Sequence, residues 1–271
     1  MFFYFHESDI FPYDPISPVW MIFFSGLSFL FFYYAGGIVK SSSKEKQGQP
    51  HSTWLQHNTS ISFIHSFISS VLIIIGVLRA PEMLDDPLSH INLFNYGLLA
   101  FSLGYFLWDF YECLMNSDSS VFPILFHHLF VIAFLMQVLL RTRNLGYAIH
   151  GLSLEINSVF LHGRRLLRWY LPIHSGTRLR LFVDAGNYVT FILFRFGIVI
   201  HGLYMLYIQR YRLDPIVHVF TVLCVASIGV LNTVLFYRLA KNQFLGKRSN
   251  KKYFKNDENI LITDNHILLP S

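Results

Sequence analysis

Residues 93–115 read LFNYGLLAFSLGYFLWDFYECLM, and their only formal charges are Asp109 and Glu112. A helix of that length rises about 34 Å, enough to cross a bilayer whose hydrocarbon core is about 30 Å thick. Six more apolar runs flank it: 19–39, 61–78, 121–140, 145–162, 181–208 and 215–239. Pro123 and Pro215 fall in the first turn of their runs, where a missing N–H costs little. The expected fold is therefore all-α: a polytopic membrane protein with seven transmembrane helices.

Composition leads to the same class. Hydrophobic residues make up 53% of the 271 and charged residues 14%, with 28 Phe. A soluble domain carries about 25% charged residues. The mean hydropathy is +0.43. These values exclude a soluble globular enzyme, a disordered chain and a small disulfide scaffold. Cys113 and Cys224 both lie in apolar runs, with no disulfide framework and no metal-ligand spacing, and read as small buried hydrophobes. No metal is expected. Residues 1–18 contain no Lys or Arg, so the first span is expected to be retained rather than cleaved as a signal peptide.

The net charge of +5 is distributed unevenly. With the amino terminus outside, the inner segments carry 15 Lys and Arg and the outer ones 5, with Arg195 inside a span. That bias predicts an external amino terminus and a cytosolic carboxyl terminus. Residues 1–18 then form the external segment, 19–39 the first span and 243–271 a basic cytosolic tail. The basic residues are expected to face anionic lipid headgroups rather than nucleic acid.

Ionisable groups inside a bilayer are costly, so each one marks a candidate site. At 1.5 Å per residue, Asp109, His127, His128 and Glu155 all lie roughly 9–10 Å from the inner surface. His65, Asp184, Asn187 and Asn232 lie at similar depth, within roughly 5–10 Å of it. Arg195 sits near mid-bilayer and must pair or meet water. Tyr105, Asp109 and Glu112 share one helical face, as do Glu155 and Ser158, and as do Asp184 and Asn187 with Arg195 further along. His127 and His128 point about 100° apart, so one at most faces directly inward. Two readings stay open: a chemical or lipid-binding site formed by Asp109, His127, His128 and Glu155, or a structural network between helices. For His65 the competing reading is an interhelical hydrogen bond.

Three motifs carry a family resemblance. Leu107-Trp108-Asp109-Phe110-Tyr111-Glu112, then Phe126-His127-His128-Leu129-Phe130, then Glu155-Ile156-Asn157-Ser158-Val159-Phe160-Leu161 followed by Arg164 and Arg165, resemble the TLC-domain family. Phe63-Ile64-His65-Ser66-Phe67 resembles its opening. The likeness is strongest to the calfacilitin-like branch, which holds TLC-domain-containing proteins one and two, and more distant to ceramide synthases. The likeness covers roughly residues 55–242 and implies a six-helix TLC domain there, a bundle preceded by one extra transmembrane helix, in multi-pass plasma-membrane proteins of phospholipid homeostasis that influence acyl composition and membrane fluidity. For the ceramide synthases it implies acyl transfer from acyl-CoA in the endoplasmic reticulum, dependent on the His pair and two downstream Asp residues. Here those two positions hold Glu155 and Ser158.

Two functions follow as expectations. One is a binding or regulatory protein with an intramembrane phospholipid or acyl-chain site that includes His65, Asp184, Asn187, Arg195 and Asn232. It needs no cofactor. The other is a lipid acyltransferase with acyl-CoA as co-substrate, its phosphates meeting Arg164, Arg165 and Arg168. A seven-helix receptor is disfavoured, because its Asp/Glu-Arg-Tyr and Asn-Pro-x-x-Tyr signals are missing.

Overall fold

The computed structural model describes residues 17–42, 50–88, 91–115, 122–171 and 177–265. Ten α-helices and one π-helical segment account for most of them, and no strand occurs among the described residues. They are α1 (Pro18–Ser42), α2 (Pro50–Arg79), the single turn α3 (Glu82–Asp85), α4 (Leu93–Met115) and α5 (Phe122–Arg141). Then come α6 (Leu145–Leu152), α7 (Glu155–Tyr170), α8 (Thr177–Thr190), the π-helical segment Phe191–Gly197, α9 (Ile198–Ile208) and α10 (Pro215–Asn265). The chain is an all-α polytopic membrane protein. Among the described residues five stretches are long and apolar enough to cross a bilayer: Pro18–Lys40, Thr53–Arg79, Leu93–Met115, Thr177–Ile208 and Pro215–Lys241. Leu125–Arg141 is a shorter apolar helix.

The run at 145–162, expected as one helix, is two. α6 ends at Leu152, and Ser153 and Leu154 form a turn before Glu155 opens α7. Ser153 Oγ donates to the Ile149 carbonyl at 2.9 Å, a side-chain bond that competes with the helical ladder. The run at 181–208 is also interrupted, by the π-helical turn that carries Arg195. Such bulges concentrate at functional positions in helices.

The chain separates into two compact units, Met1–Ile228 and Gly229–Ser271. The second consists of the later part of α10, in which Asn232 and Leu239 are buried. The basic tail's side chains beyond Lys241, and residues 1–16 of the segment expected to be external, lie outside those described.

In the first unit α4 is the central helix, with Leu99, Ala100 and Ser102 fully buried. It runs parallel to α1 and antiparallel to α2 and α5. α1 and α4 approach closely because the contact is made of small residues. A Cβ on Gly104 would collide with the Ser25 carbonyl and the Ser28 side chain. Ser28 Oγ also donates to the Phe101 carbonyl at 2.6 Å. Large apolar side chains such as Ile22, Phe23, Leu181, Phe182, Ile200 and Tyr204 are exposed, as lipid-facing residues must be. At the end of the bundle where α2 stops and α6 starts, Arg212 pairs with both carboxylate oxygens of Asp86, at 3.2 and 3.1 Å. Tyr147 donates to Gln209 at 2.9 Å there.

Candidate functional site

The site begins with a polar stripe on α2. Asn58, Ser62, His65, Ser66 and Ser69 recur at helical spacing and turn toward α4 and α7. Asn58 Nδ2 donates to Asp109 Oδ1 in a short contact. Tyr105 donates to Asp109 Oδ2 at 3.3 Å from one turn earlier in α4. The third neighbour is His128, whose Nε2 lies 3.4 Å from Asp109 Oδ2. Cys113 Sγ, one turn further along α4, lies 3.9 Å from Asp109 Oδ1. Asp109 and His128 are 4% and 6% exposed, so this carboxylate–imidazole pair is inside the protein, not at a lipid boundary.

A second pair stands beside it. Ser66 Oγ donates to Glu155 Oε2 at 2.5 Å, and His65 Nδ1 lies 3.9 Å from the same oxygen. His65 Nε2 meets Ser69 Oγ at 3.0 Å. Tyr105 joins the two pairs. Its ring stacks on His65 with centroids 3.7 Å apart and planes within 7°, while its hydroxyl bonds Asp109. Phe106 packs edge-on against both imidazoles, 5.5 Å from His65 and 5.7 Å from His128. The result is one connected cluster, from Glu155 through His65 and Tyr105 to Asp109 and His128. Phe32 of α1 covers it, fully buried and 5.0 Å from the Tyr105 ring.

Arg195 sits on the far side of Glu155. The π-helical turn delivers its guanidinium to α7, where Nε donates to Asn157 Oδ1 at 2.6 Å and Nη2 to Ser158 Oγ at 2.9 Å. Asn157 Nδ2 in turn reaches the Asn187 carbonyl, Asn187 Oδ1 and Thr190 Oγ1 at 2.9–3.1 Å. Arg195 also lies within electrostatic range of Glu155 and His127. Ser158 thus uses its hydroxyl to hold this guanidinium. A bare charge in the bilayer would be costly, and here Asn157, Ser158 and the nearby Glu155 carboxylate offset it.

The structure therefore brings Asp109, His128, Glu155 and His65 together, with Arg195 and Asn187 in the adjoining network. His127 lies beside His128, ring centroids 5.6 Å apart, and of the two it is His128 that reaches Asp109, at 3.4 Å. Asp184 lies at the edge. It pairs with Arg164 Nε at 2.5 Å, and its side chain is 35% exposed. Asn232 belongs to the second compact unit. Sequence reasoning missed Asn58, Ser66 and Asn157. The recurrence of Asn and Ser every three or four residues along α2 was the signal for the first two. Asn157 carried none beyond its place between Glu155 and Ser158.

The family is decided by a match across residues 55–241 to the TLC domain. The chain belongs to the TLC-domain family. Among relatives in that family, TLC domain-containing protein 2 of Danio rerio is 31% identical over 207 residues, covering 76% of this chain and 83% of the relative. TLC domain-containing protein 2 of Mus musculus is 33% identical over 144 residues, covering 52% of this chain and 46% of its own. TLC domain-containing protein 1 of Rattus norvegicus is 23% identical over 211 residues, covering 77% and 83%. No solved structure matches. The TLC domain starts after α1, so Phe32 lies outside it while Asp109, His128 and Glu155 lie inside.

Proposed function

We propose that this TLC-domain protein acts in phospholipid homeostasis, influencing the acyl composition and fluidity of the plasma membrane through an intramembrane lipid or acyl-chain site. The observation that carries the reading is the buried cluster joined by Tyr105: two imidazole–carboxylate pairs, on α2, α4, α5 and α7, inside an apolar bundle. Such a cluster is costly in a membrane, which gives it a default functional reading. It offers both donors and acceptors to a lipid's ester or headgroup atoms, and the surrounding rings of Phe32, Phe101 and Phe106 suit an acyl chain. The basic tail adds a surface contact with anionic headgroups, worth about 1 kcal/mol per Lys or Arg.

Phospholipid profiling tests this in cells that lack the protein and are complemented with wild type, His128→Ala or Asp109→Asn. The expected result is that wild type restores the acyl profile and both variants, at equal abundance, do not. Equal restoration by all three would refute a role for the cluster.

One observation favours a second reading, acyl-CoA-dependent acyl transfer to a lipid. With Asp109 holding Nε2 of His128, the buried Nδ1 has no hydrogen-bond partner among the described residues and is placed to accept a proton. In that reaction Nδ1 takes the proton of a lipid hydroxyl or amine as its oxygen or nitrogen attacks the thioester carbonyl. The carbon–sulfur bond breaks, and the departing thiolate takes up the proton. Turnover of labelled acyl-CoA by purified protein, lost in His128→Ala, would select this reading over binding alone.

A further inference from the structure

We infer that Asp109, Cys113 and His128 form a buried site for one divalent cation of borderline softness, with Zn²⁺ the best match to the ligands. The inference rests on these three groups and not on the lipid reading above. Asp109 and Cys113 are four residues apart on α4 and present their side chains one above the other. His128 faces them from α5. One ligand atom from each lies within 4.8 Å of the other two. Asp109 Oδ2 to His128 Nε2 is 3.4 Å, and Asp109 Oδ1 to Cys113 Sγ is 3.9 Å. A tetrahedral zinc with bonds of about 2.0–2.3 Å separates its ligands by roughly 3.3–3.8 Å, so these side chains already stand near coordinating distance.

Charge supports the same reading. Among the described residues no Lys or Arg pairs with Asp109; its partners are Asn58, Tyr105, Cys113 and His128. A carboxylate buried in a bilayer without a cation is costly. Zn²⁺ bound by a carboxylate, a thiolate and a neutral imidazole is electrically neutral as a whole, the form a low-dielectric interior tolerates best. The surrounding groups are those a metal site needs: Asn58 and Tyr105 bond the two oxygens of the ligating carboxylate, and Phe106 packs against the ligating ring. Three protein ligands leave a fourth position open, the pattern of a catalytic rather than a structural zinc. Without metal, the same three groups would be a hydrogen-bonded cluster in which the thiol donates to the carboxylate, and the experiment separates the two.

The full-length chain is purified in detergent micelles, loaded with Zn²⁺, dialysed against a weak chelator and analysed for metal. About one zinc per chain is expected in wild type, with a loss of tenfold or more in Cys113→Ser. Tyr105→Phe, which keeps all three ligands, should weaken affinity by about 10–100-fold. Loading wild type with Co²⁺ should give a sulfur-to-cobalt charge-transfer band in the near ultraviolet. That measurement needs no variant to fold. Wild type with no zinc above protein-free micelles, Cys113→Ser that retains as much as wild type, or cobalt-loaded protein with no sulfur band would each overturn the inference. The result also bears on acyl transfer. A metal on Nε2 leaves the proton on Nδ1 and removes His128 as a base.

Discussion

Asn157→Ala should be among the most destabilising substitutions in the bundle, although Asn157 belongs to neither imidazole–carboxylate pair. Its side chain is fully buried and serves two neighbours at once. Nδ2 donates to α8 at Asn187 and Thr190, and Oδ1 accepts from Arg195 Nε at 2.6 Å. Interhelical hydrogen bonds in membrane proteins average about 0.6 kcal/mol and reach about 1.7. Two amide protons at the average and one charge-assisted bond at the upper end give about 3 kcal/mol. Leaving a guanidinium N–H without its partner sets the upper limit, so the expected loss is about 2–4 kcal/mol. For a chain of this size that corresponds to a midpoint lower by about 4–15 °C. Thermal unfolding in detergent, followed by loss of the monodisperse chromatographic peak, measures it. Removing the charge first should change the result. In an Arg195→Met background the same Asn157→Ala step should cost at least 1 kcal/mol less, because no guanidinium N–H then loses its Asn157 acceptor. A midpoint within 1 °C of wild type for Asn157→Ala, or equal costs in both backgrounds, would refute the view that Asn157 holds Arg195 in place.

Three further outcomes are expected. Asn58-Thr59-Ser60 is a glycosylation sequon, but Asn58 lies within α2 with its amide on Asp109, so glycosidase treatment of the expressed chain should leave its mobility unchanged. A shift would contradict both the cytosolic placement of this segment and its packing on α4. Gly104→Ala should destabilise by about 1–3 kcal/mol, because its methyl group would meet the Ser25 carbonyl, whereas Gly37→Ala, with open space around it, should stabilise by up to about 1 kcal/mol. Equal effects at the two glycines would show that α1 does not approach α4 as described. Arg212→Ala should lower stability by no more than about 1 kcal/mol, and less in high salt, because the Asp86 pair is a third to a half exposed. A large, salt-independent loss would show this pair to be a buried clamp.

A shared level along the helices was readable in the sequence, and direction around the helix axis was not. Counting residues from the span ends placed Asp109, His128 and Glu155 at one level, and the contacts between α2, α4, α5 and α7 agree with that level. Which of two adjacent imidazoles faces Asp109 depends on how α5 is rotated. That rotation is set by packing against α4, through Phe106, which no apolar run records. The break at Ser153 and Leu154 escaped for a related reason. Both residues are compatible with a helix, and the interruption is visible only in the bonding of Ser153 back to Ile149. The π-helical turn at Phe191–Gly197 likewise lies in an unbroken apolar run, and only the position of Arg195 against α7 gives it meaning. Cys113 read as filler, and it is buried as filler would be. Its closeness to Asp109 follows from helical spacing, which matters only once His128 is known to be opposite.

The placement of α1 has a practical bearing on how the protein is cut for study. A fragment trimmed to the TLC domain would retain each imidazole and carboxylate of the cluster. It would lack the aromatic wall that Phe32 builds against His65, Phe101, Tyr105 and Trp108. Lipid tails or detergent would then enter from a side that the whole chain keeps shut. Activity or binding measured on such a fragment would report on a room with one wall removed.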